Sequence, residues 1–209
     1  MAHTQYVDKT DLKAYIGLSG SGQDDNIDNA INGASRQIDA ICGRHFYQDE
    51  TVQTRFYTPV NALYLDVDDI SVTTGLVVKL DDNDDGTYEK TLTLNTDFFL
   101  EPVNPDIVAK VSSTIYYEPY TSLRILDTRS SERFDPTILK HVEITAKFGF
   151  SIVPEAIKQA TLIQALRLFK RKDAPFNILG NEQTGQIELF NKFDPDAKEL
   201  IKGYIKNRL

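Results

Sequence analysis

A hard cation needs several oxygen-bearing side chains converging from one short loop, and one stretch of this chain offers them. In LDDNDDGTYEKTL, residues 80–92, four aspartates occupy five positions and a glycine follows. Asp81, Asn83, Asp85 and Gly86 match the opening of an EF-hand calcium loop, D-x-N-x-D-G. The twelfth loop position, where a glutamate should close the shell with both oxygens, is Leu92. The flanks, GLVVKL and TYEKTLTL, alternate in polarity and predict strands where an EF-hand has helices. The stretch therefore reads as a β-hairpin with DNDDG at its tip. Asp and Asn bond their own backbone in turns, and Gly86 supplies a left-handed residue. No metal centre is assigned; Asp81, Asn83 and Asp85 are the positions at which calcium would have to bind.

Other reactive side chains form no recognisable constellation. His3, His45 and His141 are scattered without metal-ligand spacing, and the chain contains neither G-x-S-x-G nor H-E-x-x-H. The single cysteine, Cys42, has no evident histidine partner; it falls on the apolar side of a predicted helix and reads as a buried structural thiol. The glycine-rich LSGSGQDD lacks both the Lys-Ser/Thr ending and the preceding strand of a phosphate loop. Most carboxylates lie in turns or at helix starts. No catalytic residue and no cofactor is assigned, and the expectation is a protein that is not an enzyme.

The chain has 209 residues, 41% of them hydrophobic, enough for one large domain or two small ones with a real core. No apolar run approaches a membrane span, and the opening MAHTQYVDKTD has no apolar signal core. The expectation is a protein made in the cytoplasm, with no membrane partner. The net charge of −8 is uneven: residues from Ser151 onward hold ten Lys or Arg against seven Asp or Glu, so a surplus of +3 there leaves −11 for the first 150. Such a body lacks the basic face that binds nucleic acid by counterion release, yet it suits a wall past which DNA slides without sticking.

The elements that must position these residues follow from periodicity. A short helix is predicted from a Thr10 N-cap to a Gly17 stop. A longer one carries Ile27, Ala30, Ile31, Ala34, Ile38 and Ile41 on one stripe, capped by Asp24 or Asp25 and ended by Gly43. Between Thr51 and Phe150 short alternating runs break at turn residues: TVQTRFYT, ALYLDV, GLVVKL, YEKTLTLN, FFLE, VAKVSSTIYY, SLRILD and HVEITAKFGF. Helical texture returns with VPEAIKQATLIQALRLFKRKD, followed by APFNILGNEQTGQIELF, read as an irregular arm. DPDAKELIKGYIKNRL reads as a terminal helix with Asp194 as N-cap, Pro195 in its first turn and an apolar stripe of Ala197, Leu200, Ile201, Tyr204 and Ile205. The expected fold is α+β: a small helical bundle of two N-terminal and two C-terminal helices with an inserted antiparallel β-sandwich or barrel-like domain. Its parts are the bundle's N-terminal part (residues 1–50), the β domain (51–150), the third helix (151–173) and a C-terminal arm with a docking helix (174–209).

Three stretches resemble the head–tail connector proteins of tailed bacteriophages, also called adaptors or head-completion proteins. They are YVDKTDLKAYIGLSGSGQDDNIDNAINGASRQIDAICGRHF, with its closing Gly43, Arg44 and Phe46; VPEAIKQATLIQALRLFKRKDAP; and FDPDAKELIKGYIKNRL. The β-rich middle resembles that of longer family members. The resemblance implies a structural virion protein at the head–tail interface: a homo-oligomeric ring, dodecameric in the family, that sits below the portal protein and extends the DNA channel. It would receive a stopper or tail-completion protein and let DNA pass its lumen without sequence-specific binding. It also implies docking on the portal through the C-terminal arm and helix, here Phe193, Leu200, Ile201, Tyr204, Ile205, Lys202, Lys206 and Arg208. Asp24, Asp25 and Asp28, around the start of the second helix, are the acids put forward as channel-facing. The alternative is a β-sandwich module binding carbohydrate or calcium on a virion or cell surface.

Overall fold

A computed structural model describes residues 4–171, 178–180, 187–189 and 193–206. The chain divides into two compact units: one drawn from the residues up to Phe46 and from Val153 onward, the other Tyr47–Ile152.

The first unit holds four helices: α1 (Lys9–Ile16), α2 (Asp24–Cys42), α3 (Glu155–Arg171) and α4 (Pro195–Ile201). Asp8, not Thr10, caps α1. Its carboxylate accepts the backbone N–H groups of Thr10 and Asp11, and Asp11 returns a bond to the Asp8 N–H, so the capping box outcompetes a threonine hydroxyl. Gly17 and Gly43, both left-handed at φ 67°, stop α1 and α2 as expected. Asp24 and Asp25 lie inside the first turn of α2, after a Gln23 N-cap that makes no side-chain bond. The apolar stripe of α2 buries Ile27, Ile31 and Ala34 with Leu12 of α1 and Leu162 and Ala165 of α3. Gly33 lets α3 come close, since a Cβ there would meet Leu168 Cδ1 at 3.3 Å. Residues 178–180 and 187–189 form a two-stranded antiparallel ladder, β9 (Ile178–Gly180) with β10 (Ile187–Leu189), so the arm read as irregular contains paired backbone.

The second unit is built on one antiparallel sheet. Its strands are β1 (Gln53–Tyr57), β2 (Tyr64–Leu80), β3 (Lys90–Leu92), β4 (Phe98–Glu101), β7 (Tyr120–Ile125) and β8 (Val142–Phe148), in the order β1-β8-β2-β7-β4 with β3 beside the end of β2. ALYLDV and GLVVKL, read as separate strands, are the two ends of the 17-residue β2. The first part of β2 pairs with β7 (Leu65 opposite Leu123) and the last part with β8 (Val78 opposite Ile144), with irregularities near residues 66–70 and 72–77. Those breaks let β2 bend, and buried residues from both its parts enter one core with Phe98, Leu123, Ile125, Val142, Ile144 and Phe148. Of the two expected forms, a bent single sheet is nearer the barrel-like one than a sandwich of two sheets. The β8 pattern is strict: Val142, Ile144, Ala146 and Phe148 are buried and the residues between them are not. VAKVSSTIYY is a separate two-stranded hairpin, β5 (Ile107–Val111) with β6 (Thr114–Tyr117), turning at Ser112 with φ 54°.

Ile144 is fully buried on the central strand β8. Ile144→Ala should therefore cost about 2–5 kcal/mol in urea denaturation, while Thr145→Ala, on the other face, should cost well under that.

Candidate docking surface of the C-terminal segment

The C-terminal segment is tied to its own unit at three points. Asp194 caps α4, accepting the N–H groups of Asp196 (2.9 Å) and Ala197 (3.4 Å). The same carboxylate pairs with Arg167 of α3 at 2.8 Å, and the Asp194 N–H donates to Gln164 Oε1 at 3.0 Å. The Gln164 amide is oriented by its donor bond to Gln37 Oε1 of α2, at 2.6 Å. Farther on, the Lys206 N–H donates to the Cys42 carbonyl at 2.8 Å, capping the C-terminal end of α2. Between these ties Ala197 and Ile201 are fully buried, and the Tyr204 ring meets Phe46 edge-on at 5.6 Å.

Phe46 is the hub of that end of the unit. It packs edge-on against Tyr6 at 5.7 Å as well as Tyr204. The Tyr6 hydroxyl accepts the Phe46 N–H at 2.9 Å and donates to Asp39 of α2. Burial, together with that bond and the Asp39 charge, pushes the Tyr6 hydroxyl well above the usual phenol range, so it stays a donor at every physiological pH. Arg36 lies over the Tyr6 ring at 5.6 Å and pairs with Asp39 at 3.1 Å. Cys42 is fully buried beside this cluster, and desolvation lifts its thiol to about 11.

The residues named for docking thus separate. Leu200 and Ile205, each 38% exposed, and Lys202 face outward; Phe193, Tyr204 and Lys206 are half-buried. Ile201 is inside the unit, and Arg208 lies outside the described residues. The terminal helix is shorter than its periodicity predicts. The α-helix ends at Ile201 and a 3-10 turn, Lys202–Tyr204, follows, because Gly203 weakens the helix and Ile205 is extended where Lys206 reaches Cys42.

The acids put forward as channel-facing are partly neutralised by α1. Lys9 Nζ lies 3.0 Å from Asp28 and 3.8 Å from Asp24, and Lys13 also pairs with Asp24, while Asp25 is exposed. In the β unit, Asp81 serves its own loop: its carboxylate accepts the N–H groups of Gly86 (2.8 Å) and Asp85 (3.3 Å). His141, buried, shares the site: its Nδ1 lies 2.9 Å from the Asp81 carbonyl, and the Asp81 N–H donates to the His141 carbonyl. Among the described residues no group of three or more His, Cys, Asp or Glu side chains is placed to hold a metal ion. Gly86 takes φ 81°, the left-handed conformation expected at the tip, and β2 and β3 pair on either side of the loop.

A hollow of about 310 Å³ between α2 and α3 is lined by Asn26, Asn29, Ala30, Leu168 and Phe169. None of these five side chains titrates, so the hollow offers contacts rather than acid–base chemistry. Sequence reasoning missed the exposed apolar residues of the β unit, among them Val60, Leu139, Ile107 and Tyr117. Alternation marks a strand but does not tell which strands have a sheet to cover them.

No family model and no curated protein matches the sequence. Among solved structures, the fold is similar to a chain of the neck of an empty GTA particle, computed with C6 symmetry. The likeness has a TM-score of 0.52 at 9% identity and covers 98% of this chain and 91% of that chain.

Two variants test the local readings. Asp194→Ala, which removes both the cap and the ion pair to Arg167, should lower stability by about 2 kcal/mol in thermal unfolding and speed amide exchange in α4 first. Burial opposes ionisation of Asp81, but the N–H groups of Gly86, Asp85, Asn83 and Asp84 outweigh it and hold the carboxyl below the usual range. Its stabilising share is therefore complete at neutral pH and fades as pH falls below about 4 toward the lowered folded value. Asp81→Asn should weaken the fold at neutral pH and flatten that acid decline in a pH series of urea midpoints.

Proposed function

We propose that this chain is a non-enzymatic neck protein of a phage-like particle, an adaptor that forms a ring at the head–tail interface and joins capsid to tail. The single observation that carries the reading is the fold likeness to a particle-neck chain over nearly the whole length of both chains. The helical frame around a β unit supports it from a second side, because the stretches that resemble connector proteins supply all four helices of that frame. The acidic first 150 residues suit a channel wall, since like charge keeps the phosphate backbone from adhering as DNA moves.

In this reading the docking face toward the portal is formed by Leu200, Tyr204 and Ile205, with Lys202 at its rim. Ile201 instead is buried within the helical unit, where α4 packs against α3. Removing residues 174–209 would also strip Ala197, Ile201 and Tyr204 from the helical unit, so loss of binding in that truncation would not separate docking from unfolding. Exposed-residue variants do separate them.

The purified chain should add a collar of density to the portal protein of its own source in electron micrographs. Leu200→Asp with Ile205→Asp should weaken that association at least tenfold while leaving thermal unfolding nearly unchanged, because both side chains are partly in water already. Normal collars with the double variant would remove the C-terminal face from the interface; absence of collars with the unaltered chain would remove the adaptor reading itself.

A further inference from the structure

Two positions of this chain place aspartate or asparagine directly before glycine: Asn32 before Gly33, and Asp85 before Gly86. Such pairs carry a reaction of their own. The glycine amide nitrogen, with no Cβ on its own residue to shield it, loses its proton and attacks the side-chain carbonyl carbon of the residue before it. An N–Cγ bond forms, water leaves from aspartate or ammonia from asparagine, and a five-membered succinimide results. Water then reopens the ring. Cleavage at the backbone carbonyl leaves glycine joined through Cγ as an isoaspartate, with one more carbon in the main chain and the carboxylate on Cα.

The fold treats the two pairs differently. Asn32–Gly33 lies in the middle of α2, where the helical ladder directs the Gly33 N–H at the carbonyl four residues back. Asp85–Gly86 has no ladder. It sits in the loop between β2 and β3, where residues 82–87 are all exposed. A Cβ built on Gly86 would meet nothing within 4 Å, so water reaches the bond freely. Side chains hold it instead. The Gly86 N–H donates to Asp81 Oδ2 at 2.8 Å, and the Thr87 N–H donates to Asp85 Oδ1 at 2.8 Å, tying the carboxyl group that would be attacked to the far side of the glycine. Asp81 is itself fixed in place. It is 3% exposed, its N–H donates to the His141 carbonyl, and its own carbonyl lies 2.9 Å from His141 Nδ1.

We propose that Asp85–Gly86 is an isoaspartate-forming site that the Asp81 carboxylate holds closed. Deprotonating the Gly86 nitrogen would put a negative charge within hydrogen-bond distance of a carboxylate and break the bond between them, so Asp81 opposes the step that makes the nucleophile. Attack also needs the reacting atoms brought to about 3–3.5 Å with orbitals aligned, and here the nitrogen and the carboxyl group are each engaged with a different partner. The bonds from the loop N–H groups that keep Asp81 ionised at neutral pH keep this guard charged as well. Where the guard is lost, the product lengthens the backbone of the loop between β2 and β3 and adds a main-chain carboxylate to it. The site is independent of the neck reading above.

Ageing of the full chain tests it, with Asn32 as an internal clock for unfolding. The unaltered chain and Asp81→Ala are incubated at neutral pH, well below their unfolding midpoints, and the unaltered chain is also incubated unfolded in urea. Isoaspartate at residue 85 and deamidation at residue 32 are read by peptide mass spectrometry. In urea both pairs should react. In the folded, unaltered chain both should stay intact. Folded Asp81→Ala should form isoaspartate at residue 85 about tenfold faster than the unaltered chain, because the near-attack geometry becomes accessible, while Asn32 stays unmodified. Isoaspartate at residue 85 in the folded, unaltered chain at the urea rate overturns the proposal, and so does an unchanged rate in Asp81→Ala. A rise at residue 85 matched by deamidation of Asn32 also overturns it, since both pairs would then be reacting through unfolding rather than through loss of the guard.

Discussion

Phe46, held between the rings of Tyr6 and Tyr204, is the contact on which the helical unit depends. It joins three parts of the chain that are far apart in sequence: the segment before α1, the end of α2 and the turn after α4. Hydrogen bonds close the same point, from Phe46 N–H to Tyr6 and from Lys206 N–H to the Cys42 carbonyl. The aromatic pairs supply area and fixed geometry, while the bonds satisfy polar groups that burial would otherwise leave unpaired. The chain passes into the β unit at the next residue, Tyr47.

The carboxylates of this acidic chain act mainly as architecture. Asp8 and Asp194 cap helices, Asp81 gathers the N–H groups of its loop, and Asp97 accepts the Thr93 N–H and the Ser130 hydroxyl, each near 2.7–2.8 Å. Hydrogen bonds outweigh burial at Asp81 and hold its carboxyl low, and at Asp97 the Thr93 N–H is the largest of the causes that do the same. A carboxylate in such a cage is a poor general base, since its proton affinity is low and its lone pairs are occupied.

Much of the frame was legible along the chain. Three- and four-residue spacing located α2, helical texture marked α3, and Gly17 and Gly43 ended α1 and α2 where expected. Leu92, where a calcium loop would need its closing glutamate, is a buried strand residue facing Val78 across the sheet. Less legible were the limits of elements whose ends are set by distant partners. The α4 stripe continues to Ile205 in sequence, yet the helix stops because Cys42, over 160 positions earlier, takes the Lys206 N–H. β2 reads as two strands because its bend interrupts alternation, while β7 and β8 hold the two ends together as one.

Local order and its punctuation are therefore the sequence's own: helix periodicity, strand alternation, glycine stops and aspartate turns act over a few residues and need no partner. Tertiary structure alone decided which apolar residues would be covered. Ile201 and Leu200 are neighbours of similar character, but only Ile201 points into the bundle. Phe98 and Tyr117 both sit on strands, but only Phe98 has a sheet and core around it. Burial is a property of what stands opposite a side chain, and the residues opposite lie elsewhere in the chain, at distances that no local pattern encodes.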